Sequence, residues 1–313
     1  MTDANPRAFS RIAAVRPAWT GVAPAREALG LEGRVLLHAG PPLKDPARLP
    51  PPMLNAAVLS CLYEGWAADE REAESLLASG AVRLEPSYTR GAATPLVAMI
   101  SPRTTVAVVA DGARRYCGFL GTGGGAQQRF GARDPAILAR KADSPAAKAA
   151  LATVAEAPLY FLNVWMPACQ LMLLAAEGEP GASLVTRLCA NGLETGLQVA
   201  GLPGEWFTVP AARVEGPFMK GAPENPQSPP ATGDSGVIDA FGLGGQGLRH
   251  APSLLAAFAP WLEPDDDARA RAILAGEHPV LETPLVVDAA KVASGGRPML
   301  LSTGMVSADG RLR

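Results

Sequence analysis

The stretch GDSGVIDAFGLGGQG, residues 233–247, decides how the rest of the chain is read. It sets an acid, a hydroxyl and a second acid (Asp234, Ser235, Asp239) around a short apolar run read as a strand, with glycines on either side. Glycine reaches positive φ and tolerates the close approach of a ligand or of another backbone. Successive main-chain N–H groups in such turns form concavities that hold anions. The residues after Gly247 carry a helical pattern, so the loop is expected to present a helix N-terminus, a further favourable place for negative charge. The same letters also describe an ordinary strand–turn–helix junction in which Asp234 bonds turn amides.

Working outward, the same design recurs. His38-Ala39-Gly40 closes the apolar run RVLLHA (residues 34–39), GTGGG (121–125) leads into Gln127, Gln128 and Arg129, and Asn191-Gly192 and Thr303-Gly304 repeat the pattern. Strand ends and the turns after them are where α/β proteins collect ligand groups. Between these turns the spacing predicts an arm with a short helix over 1–33, helices over 51–68 and 69–79, and strands over 95–101, 104–110 and 115–120. Asp111-Gly112 joins the last two strands as a hairpin. Helices are expected over 134–156, 163–176, 181–190, 247–261 and 265–275, and strands over 194–200, 206–214, 284–288 and 298–302. Residues 217–232 are proline-rich and read as a long loop. The fold class is therefore mixed α/β (α+β), short strands with glycine-rich turns covered by helices. An N-terminal part (1–130) and a C-terminal part (131–313) are the expected divisions, which one domain would also accommodate.

Composition removes several classes of function. A net charge of -2 leaves no basic footprint for nucleic acid or an anionic membrane surface. The cysteines (Cys61, Cys117, Cys169, Cys189) form no C-x-x-C, and His38, His250 and His278 lie far apart, so neither a metal site nor a cofactor is expected. MTDANPRAF at the start lacks the apolar core of a secretion signal, which gives a cytoplasmic expectation. Residues 158–176 are uncharged and nearly long enough for a membrane span, but Asn163, Pro167 and Gln170 interrupt them, and a buried helix is expected instead.

The candidate chemistry follows from residue type. His38, Asp234 and Glu64 are the groups suited to proton transfer. A small anionic substrate would be held by Arg129, by the turns at Gly40, Gly123, Gly124, Gly233, Gly244 and Gly245, and by Ser235, Asn163 and Asn191. Each has a structural alternative: His38 as a packed core histidine, Glu64 as half of an ion pair, Asn191 as a helix C-cap. GTGGG lacks the G-K-[ST] of a phosphate-binding loop, no G-x-S-x-G occurs, and Cys117 sits mid-strand with no cationic neighbour implied.

Several blocks, in order, resemble a known family. They are VLLHAGPP (35–42), YEGWA (63–67), EAESLLASG (72–80), SP (101–102), RFGA (129–132), FLNVWMPA (161–168), residues 190–216 and GDSGVIDAFGLGG (233–245). The chain resembles the uncharacterised-domain family that contains the YlbE (AllG) subunit of oxamate carbamoyltransferase. The resemblance implies transfer of a carbamoyl group between phosphate and oxamate, with an FdrA-like companion subunit and a homo- or hetero-oligomeric assembly. His38 or Asp234 would then handle the proton on the amide nitrogen, and Arg129 with main-chain amides would stabilise charge on the carbonyl and phosphate oxygens. Longer relatives carry a large insert between the blocks matching RFGA and FLNVWMPA, where this chain has only residues 133–160. The acid expected before RFGA is replaced by Thr122 and glycines. Two other readings stay open: a non-catalytic partner subunit of an FdrA-like complex, and an amide or ring-opening hydrolase on the same scaffold.

Overall fold

A computed structural model describes residues 4–120, 160–216, 227–293, 299–300 and 306–307. The chain divides into two compact units, one inserted in the other: Pro17–Ala168 forms the inserted unit, while Met1–Arg16 and Cys169–Arg313 together form the terminal unit. The division expected at 130/131 lies outside the described residues. Helix α1 (Ala4–Ala13) opens the chain and belongs to the terminal unit.

In the inserted unit, β1 (Ala18–Pro24) leads through the one-turn helix α2 (Ala25–Ala28) to β2 (Val35–His38). Helices α3 (Pro51–Glu64) and α4 (Glu70–Ala78) follow. A proline at the first helical position starts α3, and Gly65 (φ 73°) ends it. Asp69 caps α4 by accepting from Glu72 N–H at 2.8 Å, and the Glu72 carboxylate accepts in return from Ala68 N–H at 2.7 Å. Strand β3 (Arg83–Pro86) then runs parallel to β2, with His38 opposite Pro86. A four-stranded sheet takes the order β1, β5 (Thr105–Asp111), β6 (Arg114–Phe119), β4 (Ala92–Ala93). Asp111 faces Arg114 at the β5–β6 turn, the hairpin that Asp-Gly predicts.

Strand alternation splits the apolar residues of β2 between two cores. Val35 and Leu37 join Ile100, Val106, Cys117 and Phe119, whereas Leu36 joins Met53, Ala57, Cys61 and Met99 against α3 and α4. The strand expected over 95–101 is reduced to one bridge, Leu37 with Ile100. Pro95 has no N–H for a ladder, and Leu96 sits at φ 50°, which breaks the extended run.

Helix α5 (Tyr160–Leu174) carries Pro167 within it. That proline gives the Asn163 carbonyl no N–H, and the freed carbonyl is pressed against Gly118 of β6. A Cβ on Gly118 would stand 2.0 Å from it.

The terminal unit holds a second four-stranded antiparallel sheet, ordered β10 (Thr232–Gly233), β7 (Val185–Asn191), β8 (Glu194–Val199), β9 (Phe207–Pro210). The helix expected over 181–190 is thus strand β7. Val185 and Thr186 favour extended backbone, and Asn191-Gly192 marks a hairpin, with Gly192 at φ 82° as the first loop residue. The apolar run after Asp234 is likewise a helix, α6 (Gly236–Phe241), and no strand. Its first residue lies on β7, where a Cβ on Gly236 would meet Leu188 O at 2.5 Å. After it come a 3-10 turn (Gly245–His250), α7 (Pro252–Phe258) and α8 (Asp266–Ala272), so the long helix expected from Gly247 is broken into short turns. Pro252 and Pro260 supply the breaks. Hairpin β11 (Leu274–His278) with β12 (Thr283–Val287), then α9 (Ala289–Ala293), complete the unit, with a short pair β13 (Met299–Leu300) and β14 (Val306–Ser307).

Helix α1 is tied to this unit by side chains. Asn5 Nδ2 donates to Ser183 Oγ (2.9 Å) and to Asp288 Oδ2 (3.0 Å), while Asn5 Oδ1 accepts from Ser183 N–H. Phe9 lies against Gly276 of β11, and Ile12 is fully buried. Among the described residues no helix is long and apolar enough to cross a membrane.

Candidate functional site

In the terminal unit, β10 places Thr232 opposite Asn191 and Gly233 opposite Ala190. This brings Asn191, Gly233, Asp234 and Ser235 to one end of the sheet. Asn191 is buried, and its Oδ1 accepts from the N–H groups of Leu193 (2.9 Å) and Glu194 (2.8 Å). That carboxamide therefore holds the β7–β8 hairpin closed. Asp234 and Ser235 are both buried and both engaged with neighbours. Burial pushes the Cys189 thiol far up, the Asp234 carboxylate raises it further, and Arg187 opposes both.

The second acid of the loop has a separate task. Asp239 is fully buried, and its Oδ1 accepts from Gly245 N–H at 2.9 Å. A Cβ on Gly244 would lie 1.8 Å from that same oxygen. Gly244 thus supplies room and Gly245 an N–H, both to close the loop on Asp239. Beside it a cleft of about 180 Å³ is lined by Gly245, Leu248, Arg249, Leu255, Leu262 and Asp267, among others. Sequence reading missed it, because Leu248 and Arg249 fall there within a continuous helix expected from Gly247 to Trp261.

In the inserted unit, His38 ends β2 and is 1% exposed. Alternation puts it on the same side as Leu36, toward α3 and α4. Its Nδ1 lies 2.8 Å from Ala39 O, which makes Nδ1–H the donor and leaves the lone pair on Nε2. Burial lowers its pKa from 6.5 to about 4, against the smaller opposing effect of the Ala39 carbonyl. The ring is thus a neutral base at pH 7. Gly40, two residues on, takes φ 90°. Glu64 stands at the end of α3, where its Oε1 accepts from Arg103 N–H at 2.8 Å while Arg103 reaches back to Tyr63 O. Its carboxylate pins the 101–104 turn to the helix. Asn163 is 1% exposed on α5.

The structure therefore gathers Asn191, Gly233, Asp234 and Ser235 in one unit and carries His38, Gly40, Glu64 and Asn163 in the other. Gly123, Gly124, Arg129 and the Thr303-Gly304 turn lie outside the described residues. Among the described residues no cluster of three His, Cys, Asp or Glu side chains is placed to hold a metal ion. Burial pushes the thiols of Cys117 and Cys61 up to about 11 and about 12, so neither is a thiolate nucleophile at neutral pH.

The relatives fit this frame. A family model described as oxamate carbamoyltransferase subunit AllG matches residues 139–235, a span that takes in α5 and the second sheet and ends on Asp234 and Ser235. The oxamate carbamoyltransferase subunit AllG of Escherichia coli (strain K12) is 30% identical over 320 residues, covering 81% of this chain and 76% of its own. The uncharacterized protein YahG of the same organism is 26% identical over 382 residues, covering 98% of this chain and 80% of its own. A crystal structure of a conserved protein of unknown function from Enterococcus faecalis V583 shares the fold, with a TM-score of 0.81 at 21% identity over 97% of this chain and 92% of that one. At this identity and coverage, the chain belongs to the AllG family.

Proposed function

We propose that this chain is a subunit of a carbamoyl-transferring enzyme that acts on a small anionic amide of the oxamate type, and that it carries part of the active site. The observation that supports the reading is the family match, whose last residues are the buried Asp234 and Ser235. In such a transfer the amide nitrogen of the acceptor attacks the carbamoyl carbon, phosphate leaves, and the attacking nitrogen loses a proton. That proton would go to the Asp234 carboxylate or to the lone pair on His38 Nε2, a weak base with its pKa lowered to about 4. Arg129 and the glycine-rich turns would hold the carboxylate and phosphate oxygens. Because the AllG relative is named as a subunit, the chain is expected to work beside companion subunits, and the sequence resemblance makes an FdrA-like protein the proposed one. The same name favours a second reading, a partner subunit that leaves the chemistry to a companion.

Release of inorganic phosphate separates the two readings. The purified chain, alone and then with the proteins that co-purify with it, is given either carbamoyl phosphate with oxamate, where phosphate is released, or phosphate with oxalurate, where it is consumed. Asp234→Asn is expected to lower turnover by about a hundredfold or more while the assembly still forms. Turnover by the complex that ignores both this change and His38→Asn would move the chemistry to a companion. No transfer in any combination would remove the carbamoyl reading altogether.

A further inference from the structure

We propose that Asn163 is the residue that recognises the substrate's primary amide, pairing with it edge to edge. The choice of ligand rests on the carbamoyl-transfer reading; the choice of residue rests on the structure. Asn163 is 1% exposed, and neither Oδ1 nor Nδ2 has a hydrogen-bond partner among the described residues. Thr186, Thr195, Gln198, Gln246 and His278 each leave one buried polar atom unpaired, but Asn163 leaves both ends of its side chain so. A carboxamide offers two N–H donors and one acceptor oxygen, and burying it with none of them used disfavours the folded state at each end. Native proteins leave few such groups, and a ligand is one of the things that satisfies them.

The packing around Asn163 holds the carboxamide in place. The residue's own carbonyl has lost its intrahelical donor to Pro167 and lies against Gly118, where a Cβ would be only 2.0 Å away. Gly118 also meets Pro167, at 3.0 Å to Cγ. Val164, the next residue of α5, packs against Ala107 and Leu120. A turn of the helix that exposed Asn163 to water would separate this backbone contact and that apolar cluster. The carboxamide therefore waits, fixed and unpaired, for a group with the opposite edge.

A primary amide has that edge: its N–H donates to Oδ1 while its carbonyl accepts from Nδ2. An α-keto acid of the same shape keeps the carbonyl and carries a methyl where the amide has its NH2. Oxamate and pyruvate form such a pair, and they test the assignment directly. The full chain, as wild type, Asn163→Leu and Asn163→Ala, is titrated with each, and the ligand-free Tm of each protein is measured. Wild type is expected to prefer oxamate by about tenfold to a hundredfold. Both variants are expected to bring the two ligands within about threefold, since the deleted group is the one that tells NH2 from methyl. Asn163→Leu is expected to melt at or above the wild-type temperature, because it removes two unpaired polar ends and breaks no bond.

A preference for oxamate that survives in both variants overturns the proposal, as does a wild type that binds the two ligands equally or neither. So does a fall of several degrees in Tm for both variants, which would reveal structural partners for the carboxamide. If the amide preference behaves as expected and no carbamoyl transfer is found, the functional reading fails and this one stands. If transfer occurs equally well in wild type and variants, this one alone fails.

Discussion

Charging the imidazole of His38 would strand a cation among apolar side chains, and this sets both its chemistry and its effect on stability. Folding lowers its pKa from 6.5 to about 4, so between these values the unfolded chain binds the proton and the folded chain does not. The contribution to stability is complete above pH 6.5 and is lost progressively as the pH falls toward 4, amounting to about 3 kcal/mol at most. Burial lowers His278 in the same sense, with Arg16 adding to it, so it steepens the same acid limb. An asparagine in place of the histidine would keep a donor toward Ala39 O while deleting Nε2. His38→Asn is therefore expected to show a flatter decline of Tm between pH 7 and 4.5, measured by scanning calorimetry against wild type. Equal slopes for the two proteins would mean that His38 is not held neutral by burial.

At the level of the element, the contacts that matter most are those where glycine lets two backbones meet. A Cβ on Gly118 would stand 2.0 Å from Asn163 O, and neither β6 nor α5 has a flexible side-chain end there to give way. Gly118→Ala is expected to cost about 3 kcal/mol, read as a lower urea midpoint with an unchanged m-value. Gly21→Ala in β1, with nothing within 4 Å of the added carbon, serves as the near-neutral control. Such pairings are hard to read in sequence, since Gly118 looks like any strand glycine until α5 is seen against it. The β5–β6 hairpin, α3 and α4 were legible because local chemistry settles them: Asp111-Gly112 for the turn, prolines before α3, Asp69 and Glu72 for α4. Residues 185–191 and 236–241 were not. Both are short apolar runs without clear periodicity, and partners elsewhere decide them. The first is extended because β8 and β10 pair with it, and the second helical because Gly236 lets it settle on Leu188. The candidate site was legible as a set of polar residues at glycine turns, but the working bonds of Asn191, Asp239 and Glu64 were not. Those depend on loop closures that spacing alone does not give.

For the whole molecule, the interleaving of the two units carries its own prediction. Helix α1 gives the terminal unit the buried Ala8 and Ile12, the Asn5 clasp on Ser183 and Asp288, and arginines Arg7 and Arg11 beside Glu179. The two exposed ion pairs add little; the burial and the clasp supply most of the effect. Deleting residues 1–16 is expected to destabilise the terminal unit by about 5 kcal/mol. Hydrogen exchange read by mass spectrometry should show amides of β7 and β8 losing protection while those of β5 and β6 keep theirs. Equal loss in both sheets would mean that the units do not unfold separately. The same interleaving bears on biosynthesis. The ribosome makes α1 before Pro17–Ala168, yet the strands and loops that receive it, from Ser183 to Asp288, are made only after that inserted unit. The inserted unit is continuous and can fold while translation proceeds, whereas the terminal unit must wait until Asp288 has been made. Until then an amphipathic helix with its apolar face uncovered trails outside the exit tunnel, and this interval is when the nascent chain most needs a chaperone.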